Sequence, residues 1–234
     1  MKGFIKRFLP KALVKILMRI KDRLLFSTRK TLNNKPQLDS TKQDLDMYWD
    51  PEYAQVLEIW GEGNVWDEIQ LLVANCKGKI LDVACGTGRT LEILSGIHEI
   101  EVYGCDISDF LISRAVARGI NRNQLSVCDA TQMNFPNNFF DYAYSIGSLE
   151  HFTEEGIIKC ISECHRVVKL NSFHTVPVSR SGKDEGWIKT VQSYHNNSIS
   201  WWLDKYRSSY NTVYVFDSKW QDSISIGKWF VCIK

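Results

Sequence analysis

Residues 79–94, KILDVACGTGRTLEIL, constrain this 234-residue chain more than any other stretch. Ile80, Leu81 and Val83 read as a buried strand that runs into Gly86-Thr87-Gly88, and a helix follows. Glycines at such a turn let the backbone approach a ligand closely, and the start of the helix offers unpaired N–H groups. Nicotinamide and flavin folds use a similar turn, but their G-x-G-x-x-G fingerprint needs a third glycine where this chain has Leu91. Asp82 lies inside the strand, ahead of the glycines. A pyrophosphate would be repelled there, whereas a ligand carrying a sulfonium and an ammonium group would be attracted.

The pattern beyond Lys77 is regular. Short β-rich runs at 79–84, 101–106, 125–128 and 140–146 are each followed by a turn and mostly by a helical stretch, the rhythm of βαβ units and a parallel sheet. Asp106 ends the second run, 18 residues after Gly88, and Asp129 ends the third. Ligands of open α/β sheets bind beyond the carboxyl ends of the strands, so the three acids are expected to converge, although each alone also suits an N-cap or a turn. Thr153 with Glu154 and Glu155 predicts a helix N-terminus for residues 153–168. On that helix Cys160 and Cys164 are spaced as a core-facing stripe rather than as metal ligands. NTVYVFDSKW and SISIGKWFVCIK, after residue 210, read as an antiparallel hairpin closing the sheet. Two helices are expected between Met47 and Asn75, on either side of a turn at Gly61–Asn64.

These residues resemble the class I S-adenosylmethionine-dependent methyltransferase superfamily, in particular its broad type 11 group of small-molecule enzymes. DVACGTG is similar to the family's first motif, CDIS to its ribose-binding acid motif, and Asp129-Ala130 to its adenine-edge motif. Residues 137–152, NNFFDYAYSIGSLEHF, look like the fourth strand and its substrate-facing turn. The resemblance runs from about Lys79 to Val168. It implies an α/β, Rossmann-like seven-stranded sheet of order 3-2-1-4-5-7-6 with the last strand antiparallel, here behind an N-terminal helical extension. It implies S-adenosylmethionine as cofactor, lined by Asp82, Ala84, Cys85, Gly86, Thr87, Gly88, Asp106, Ile107, Asp129, Ala130 and Ser145, with no metal. One departure is plain: the family's K-P-G-G-type turn before strand five is replaced by Lys169-Leu170-Asn171-Ser172, so strand five, about 173–178, is expected to begin irregularly.

Methyl transfer from a sulfonium is an in-line displacement that depends on proximity and alignment. A hydroxyl acceptor gains from a base, and His151 is the candidate, with Glu150 to orient it and His195 as second choice. In the family these residues also serve only to shape the cofactor pocket. Acceptor choice is expected from the aromatic stretch 187–214, with Trp187, Tyr194, Trp201, Trp202, Tyr206 and Tyr210, though a helix burying Trp201 and Tyr206 explains much of it. Trp60-Gly61 is a candidate cover for the methionine end of the cofactor. The expected activity is methylation of a small molecule, with O-methylation of a sugar or lipid-linked metabolite in front. N- or C-methylation and a non-catalytic cofactor-binding subunit remain as alternatives.

The net charge of +2 conceals a division. Residues 1–30 carry ten Lys or Arg and one acid, +9, which leaves −7 for the rest. Leu13, Ile16, Leu17, Ile20 and Leu24 repeat at helical spacing within this arm, and the interspersed cations rule out a secretory core or membrane span. Such a basic amphipathic helix binds an anionic membrane surface, packs on its own domain, or joins a second subunit. The division expected is 1–46, helix and polar linker, and 47–234, the catalytic domain, with no nucleic acid as partner. Seven cysteines without a C-x-x-C pair point to a reduced, cytoplasmic setting, peripheral on the inner membrane face if the arm binds lipid.

Overall fold

The computed structural model describes residues 43–190 and 192–234, so the basic arm and most of the linker lie outside the described residues. Nine strands are described: β1 Gly78–Val83, β2 Ile100–Asp106, β3 Leu125–Val127, β4 Phe140–Ile146, β5 Val168–Ser179, β6 Trp187–Lys189, β7 Ser193–His195, β8 Thr212–Gln221 and β9 Ser225–Ile233. The helices are α1 Pro51–Leu57, α2 Val65–Leu72, α3 Arg89–Leu94, α4 Asp109–Ala117, α5 Glu154–Val167 and α6 Ile199–Arg207. Seven strands form one sheet in the order β3-β2-β1-β4-β5-β9-β8. β1 to β5 pair in parallel, and β9 runs antiparallel to both β5 and β8. This is the expected order, with β8 and β9 in the places of the last two strands. The separate β6–β7 hairpin was not anticipated; its three-residue strands are too short to leave a periodic signal.

Because crossover helices cover both faces, the central strands bury both sets of side chains. Leu81 and Val83 of β1 pack with Ile157, Cys160, Ile161 and Cys164 of α5 and with Trp202 and Tyr206 of α6. Ile80 points the other way, into Val65 and Ile69 of α2, Leu91 of α3 and Ala115 of α4. Cys160 and Cys164 are thus core residues, as their spacing predicted. All seven cysteines are free; six are buried and Cys128 is half-buried.

Capping fixes the helix ends. Thr153 Oγ1 accepts from Gly156 N at 3.1 Å at the start of α5. Asp50 caps α1, accepting from Glu52 N at 2.7 Å, and Pro51 stands at the first helical position, where its missing N–H costs nothing. At the far end of α5 the Lys234 ammonium donates to the carbonyls of His165 and Val168, both at 2.8 Å. β5 follows α5 without an intervening turn. Its pairing with β4 shifts between Phe140↔Val168 and Tyr142↔Asn171, so Lys169 and Leu170 bulge against Asp141 alone. That is the irregular start expected from the missing proline and glycines. β5 nevertheless begins at Val168, earlier than the expected 173.

Candidate functional site

The glycine turn carries the most unusual backbone of the described residues. Ala84, Gly86 and Gly88 have φ of +59°, +54° and +73°. A left-handed alanine costs on the order of 1 kcal/mol and persists only where its surroundings hold it. Here Cys85 N donates to Cys105 O at 2.9 Å and pins the turn to β2. A Cβ on Gly88 would lie 2.7 Å from Ala115 Cβ, so α4 can pack here only against a glycine. Arg118, paired with Glu58 and Glu92, donates to Thr87 O at 3.0 Å from outside. The Thr87 hydroxyl is buried with no partner.

The three acids do not share one environment. Asp82 is buried and accepts from Tyr144 Oη at 2.9 Å. Its carboxyl is raised well above the usual range by burial, against the Tyr144 bond, with the Asp106 charge adding to the rise. Asp106, also buried, accepts from Gly86 N on one oxygen and Ser108 N on the other, each at 2.9 Å. Burial raises it while these amide bonds pull it down. Asp129 is exposed, two residues past β3, and its Oδ1 accepts from the amide and hydroxyl of Thr131 at 2.8 Å each. Cys128 N donates to Asp106 O at 2.9 Å, which holds Asp129 beside the second strand end, at the rim rather than in the floor. A hydrogen bond with Cys105 lowers the Cys128 thiol to about 7. Ile107 is half-buried next to Asp106, and Ala130 is buried beside Asp129.

Ser145 is fully buried, and its hydroxyl bonds His174 Nδ1 at 2.8 Å; His174 Nε2 in turn meets Ser172 Oγ at 2.9 Å. This side chain therefore belongs to an internal polar chain between β4 and β5. Beyond β4, Gly147 has φ +63°, and a Cβ there would stand 2.8 Å from the Trp60 ring. Trp60 thus lies against the turn that follows β4.

Glu150 and His151 sit in a single 3-10 turn, Leu149–His151. His151 Nδ1–H donates to Ser193 O at 2.9 Å, leaving Nε2 with a lone pair 3.7 Å from Glu150 Oε1. Burial lowers His151 to about 4 and pushes Glu150 up to about 8. Glu150 is 5% exposed, and its Oε2 is buried without a partner. Burial thus favours the neutral form of each, and the carboxyl holds its proton more tightly than the imidazole. His195, the second choice, is packed between the rings of Trp187 and Trp201 at 4.6 and 4.9 Å and is lowered by burial to about 4.

Residues 43–57 cross this region. Ser108 Oγ donates to Tyr48 O at 2.7 Å, and Asp44 accepts from Ser193 N at 2.8 Å and Lys189 Nζ at 3.2 Å. Gln192 Oε1 accepts from Tyr53 Oη at 3.0 Å, and Gln192 Nε2 donates to Tyr48 Oη at 2.5 Å. The charges of Glu150 and Asp106 act on both tyrosine hydroxyls, which burial raises strongly. Tyr144, Tyr48, Tyr53 and Gln192 were not singled out as site residues. The aromatic run after Met47 hinted at the two strap tyrosines; Gln192 left no signal. Within 187–214, Trp202, Tyr206 and Tyr210 are fully buried, so the expected aromatic face reduces to the half-buried Trp187 and Trp201.

Comparison with known proteins agrees with this architecture. Residues 80–171 match a family described as "Methyltransferase domain". "Probable tRNA methyltransferase 9B" of Mus musculus is 32% identical over 110 residues, 46% of this chain and 23% of that protein. "O-methyltransferase cnsE" of Penicillium expansum is 32% identical over 115 residues, 46% of this chain and 41% of that one. The chain thus matches less than half the length of either. The solved structure of Haemonchus contortus phosphoethanolamine N-methyltransferase 2, in complex with phosphomonomethylethanolamine and S-adenosylhomocysteine, superposes with a TM-score of 0.62. That match has 14% identity and covers 84% of this chain and 60% of that one.

Proposed function

We propose that this chain is a class I S-adenosylmethionine-dependent methyltransferase and methylates a small molecule using S-adenosylmethionine as cofactor. The observation that carries the reading is the pair of buried carboxyls, Asp82 and Asp106, at neighbouring strand ends around a left-handed glycine turn. When bound, the cofactor supplies an electrophilic methyl group on a sulfonium. The residues fit such a ligand. Two carboxyls favour its cationic groups, and the unpartnered Thr87 hydroxyl is a hydrogen-bonding group that a ligand can satisfy. Each Asp106 oxygen keeps a lone pair for a ribose hydroxyl after meeting its amide. Asp129 and Ala130 take the adenine edge, with Ile107 beside it. The backbone of Ala84, Cys85, Gly86, Thr87 and Gly88 forms the floor, and Ser145 stands near the carboxyl end of β4, held by His174. The acceptor's proton passes to the Glu150–His151 pair.

Calorimetry tests the cofactor site. S-adenosylmethionine should bind, and Asp106→Ala should weaken it by about 1–3 kcal/mol, the cost of leaving partners unpaired. Equal affinities for wild type and variant would remove the ribose assignment, and a preference for NAD would overturn the reading. Release of labelled methyl groups to an acceptor distinguishes an enzyme from a cofactor-binding subunit.

The curated relatives and solved neighbours include O- and N-methyltransferases, so the reacting atom is proposed as a hydroxyl or an amine. We also propose that residues 1–30, at +9, bring the chain to an anionic membrane surface on the cytoplasmic side. Among the described residues no helix is long and apolar enough to cross a membrane.

A further inference from the structure

We infer that the acceptor is an amine, held by the Glu150 carboxyl beside Tyr48 and Tyr53 and drawn in by an acidic strap. The inference rests on the methyltransferase reading and specifies what that site receives. Residues 43–57 contain four Asp or Glu and no Lys or Arg. This is the segment that crosses the carboxyl ends of the strands, through Tyr48 and Asp44. Beneath it Glu150 is nine-tenths buried with Oε2 unpartnered. An isolated buried carboxyl oxygen is costly unless something completes it, and an N–H donor does so. Around it the hydroxyls of Tyr48 and Tyr53 from the strap, on which Asp106 of β2 also acts, and of Tyr206 from α6 are weak acids that the Glu150 charge raises further. His151, on its own turn, is uncharged above about 4. Lys189, which meets the strap, is engaged by Asp44. A phosphorylated or carboxylated reacting end would lose its hydration beside a buried carboxyl, while an ammonium would meet the Glu150 carboxyl and two aromatic rings 6.1 Å apart.

The chemistry balances. The Glu150 carboxylate takes one proton from the ammonium; the freed nitrogen lone pair forms the N–C bond as the S–C bond breaks, its electrons returning to sulfur. The proton then leaves to solvent. Burial pushes Glu150 up to about 8, within about two units of an alkylammonium near 10, so the transfer is only mildly uphill.

The test uses the full chain with matched series of alkyl and arylalkyl primary amines, the corresponding alcohols, and the corresponding phosphate monoesters. Labelled methyl transfer is read, and binding to the S-adenosylhomocysteine-loaded protein is read separately by calorimetry. Amines should be labelled and bound at least tenfold better than their alcohol counterparts, and the phosphates not at all. Glu150→Gln should lower kcat/KM for the preferred amine about a hundredfold or more. It should also move the acid limb of the pH profile from near 8 toward the amine's own value, with S-adenosylmethionine affinity within twofold of wild type. Glu150→Asp, which keeps the carboxyl, should retain part of the rate. Preference for alcohols or phosphates, silence of the amine series in both readouts, or loss of cofactor affinity in Glu150→Gln overturns the inference. Failure of the wild type to bind S-adenosylmethionine would instead overturn the methyltransferase reading.

Discussion

Burial moves Glu150 and His151 in opposite directions for one reason: low-dielectric surroundings penalise whichever form is charged, the carboxylate in one case and the imidazolium in the other. The stability consequence has a definite sign. With the folded Glu150 raised from about 4.5 to about 8, the folded chain holds the extra proton across that window and loses stability as pH rises through it. Glu150→Gln removes the penalty. The variant should match wild type near pH 4.5, melt progressively higher as pH rises to about 8, and keep a constant advantage above that, as thermal melts across pH will show. For Asp82 the partner matters more. Tyr144→Phe deletes its buried donor and should cost about 1–3 kcal/mol by denaturant titration. Asp82, Asp106 and the glycines were legible because each stands at a fixed offset from a strand end. The Ser193 carbonyl that fixes the His151 tautomer, 42 residues away, was not, since it depends on where an unforeseen hairpin folds back.

Elements were legible where period and cap agree. α5 shows both, with Thr153 before the acids and Ile157, Cys160, Ile161 and Cys164 on one face. Thr153→Ala should therefore cost about 1 kcal/mol with the fold intact, measurable by chemical denaturation. The contact between α4 and the glycine turn is less forgiving. Gly88→Ala places a methyl 2.7 Å from Ala115 on a backbone at φ +73°, so it should destabilise by about 1–3 kcal/mol and weaken cofactor binding at the same time. A double variant with Ala115→Gly should recover the packing and not the backbone strain. The early start of β5 leaves no mark in the sequence, for a physical reason. Lys169, Leu170 and Asn171 carry no β signature, and they are extended because Asp141, β9 and Lys234 N at 2.9 Å hold them there.

Over the whole molecule, strand rhythm pointed to a parallel sheet and the last two runs to a closing hairpin, while the strand order came from the family resemblance; the alternation of that hairpin leaves Tyr214 and Phe216 exposed on the edge strand β8. Charge is divided on the same scale, with +9 in residues 1–30 against −7 beyond. Each cation near an anionic bilayer contributes about 1 kcal/mol. The full chain should thus co-sediment with phosphatidylserine-containing vesicles at low salt and release near 1 M, where screening falls to about 3 Å; the chain without residues 1–30 should stay in the supernatant. A full chain that remains soluble with vesicles at low salt removes the membrane proposal. The seven free thiols have a practical corollary. Six are closed to solvent, and Cys128 alone is half-open, lowered to about 7, one residue before Asp129. Alkylation by iodoacetamide should therefore mark one site fast and six only on unfolding. The native chain carries its own chemical gauge at the third strand end, where slowed labelling registers a covered rim and loss of the six-thiol protection registers the melting of the core.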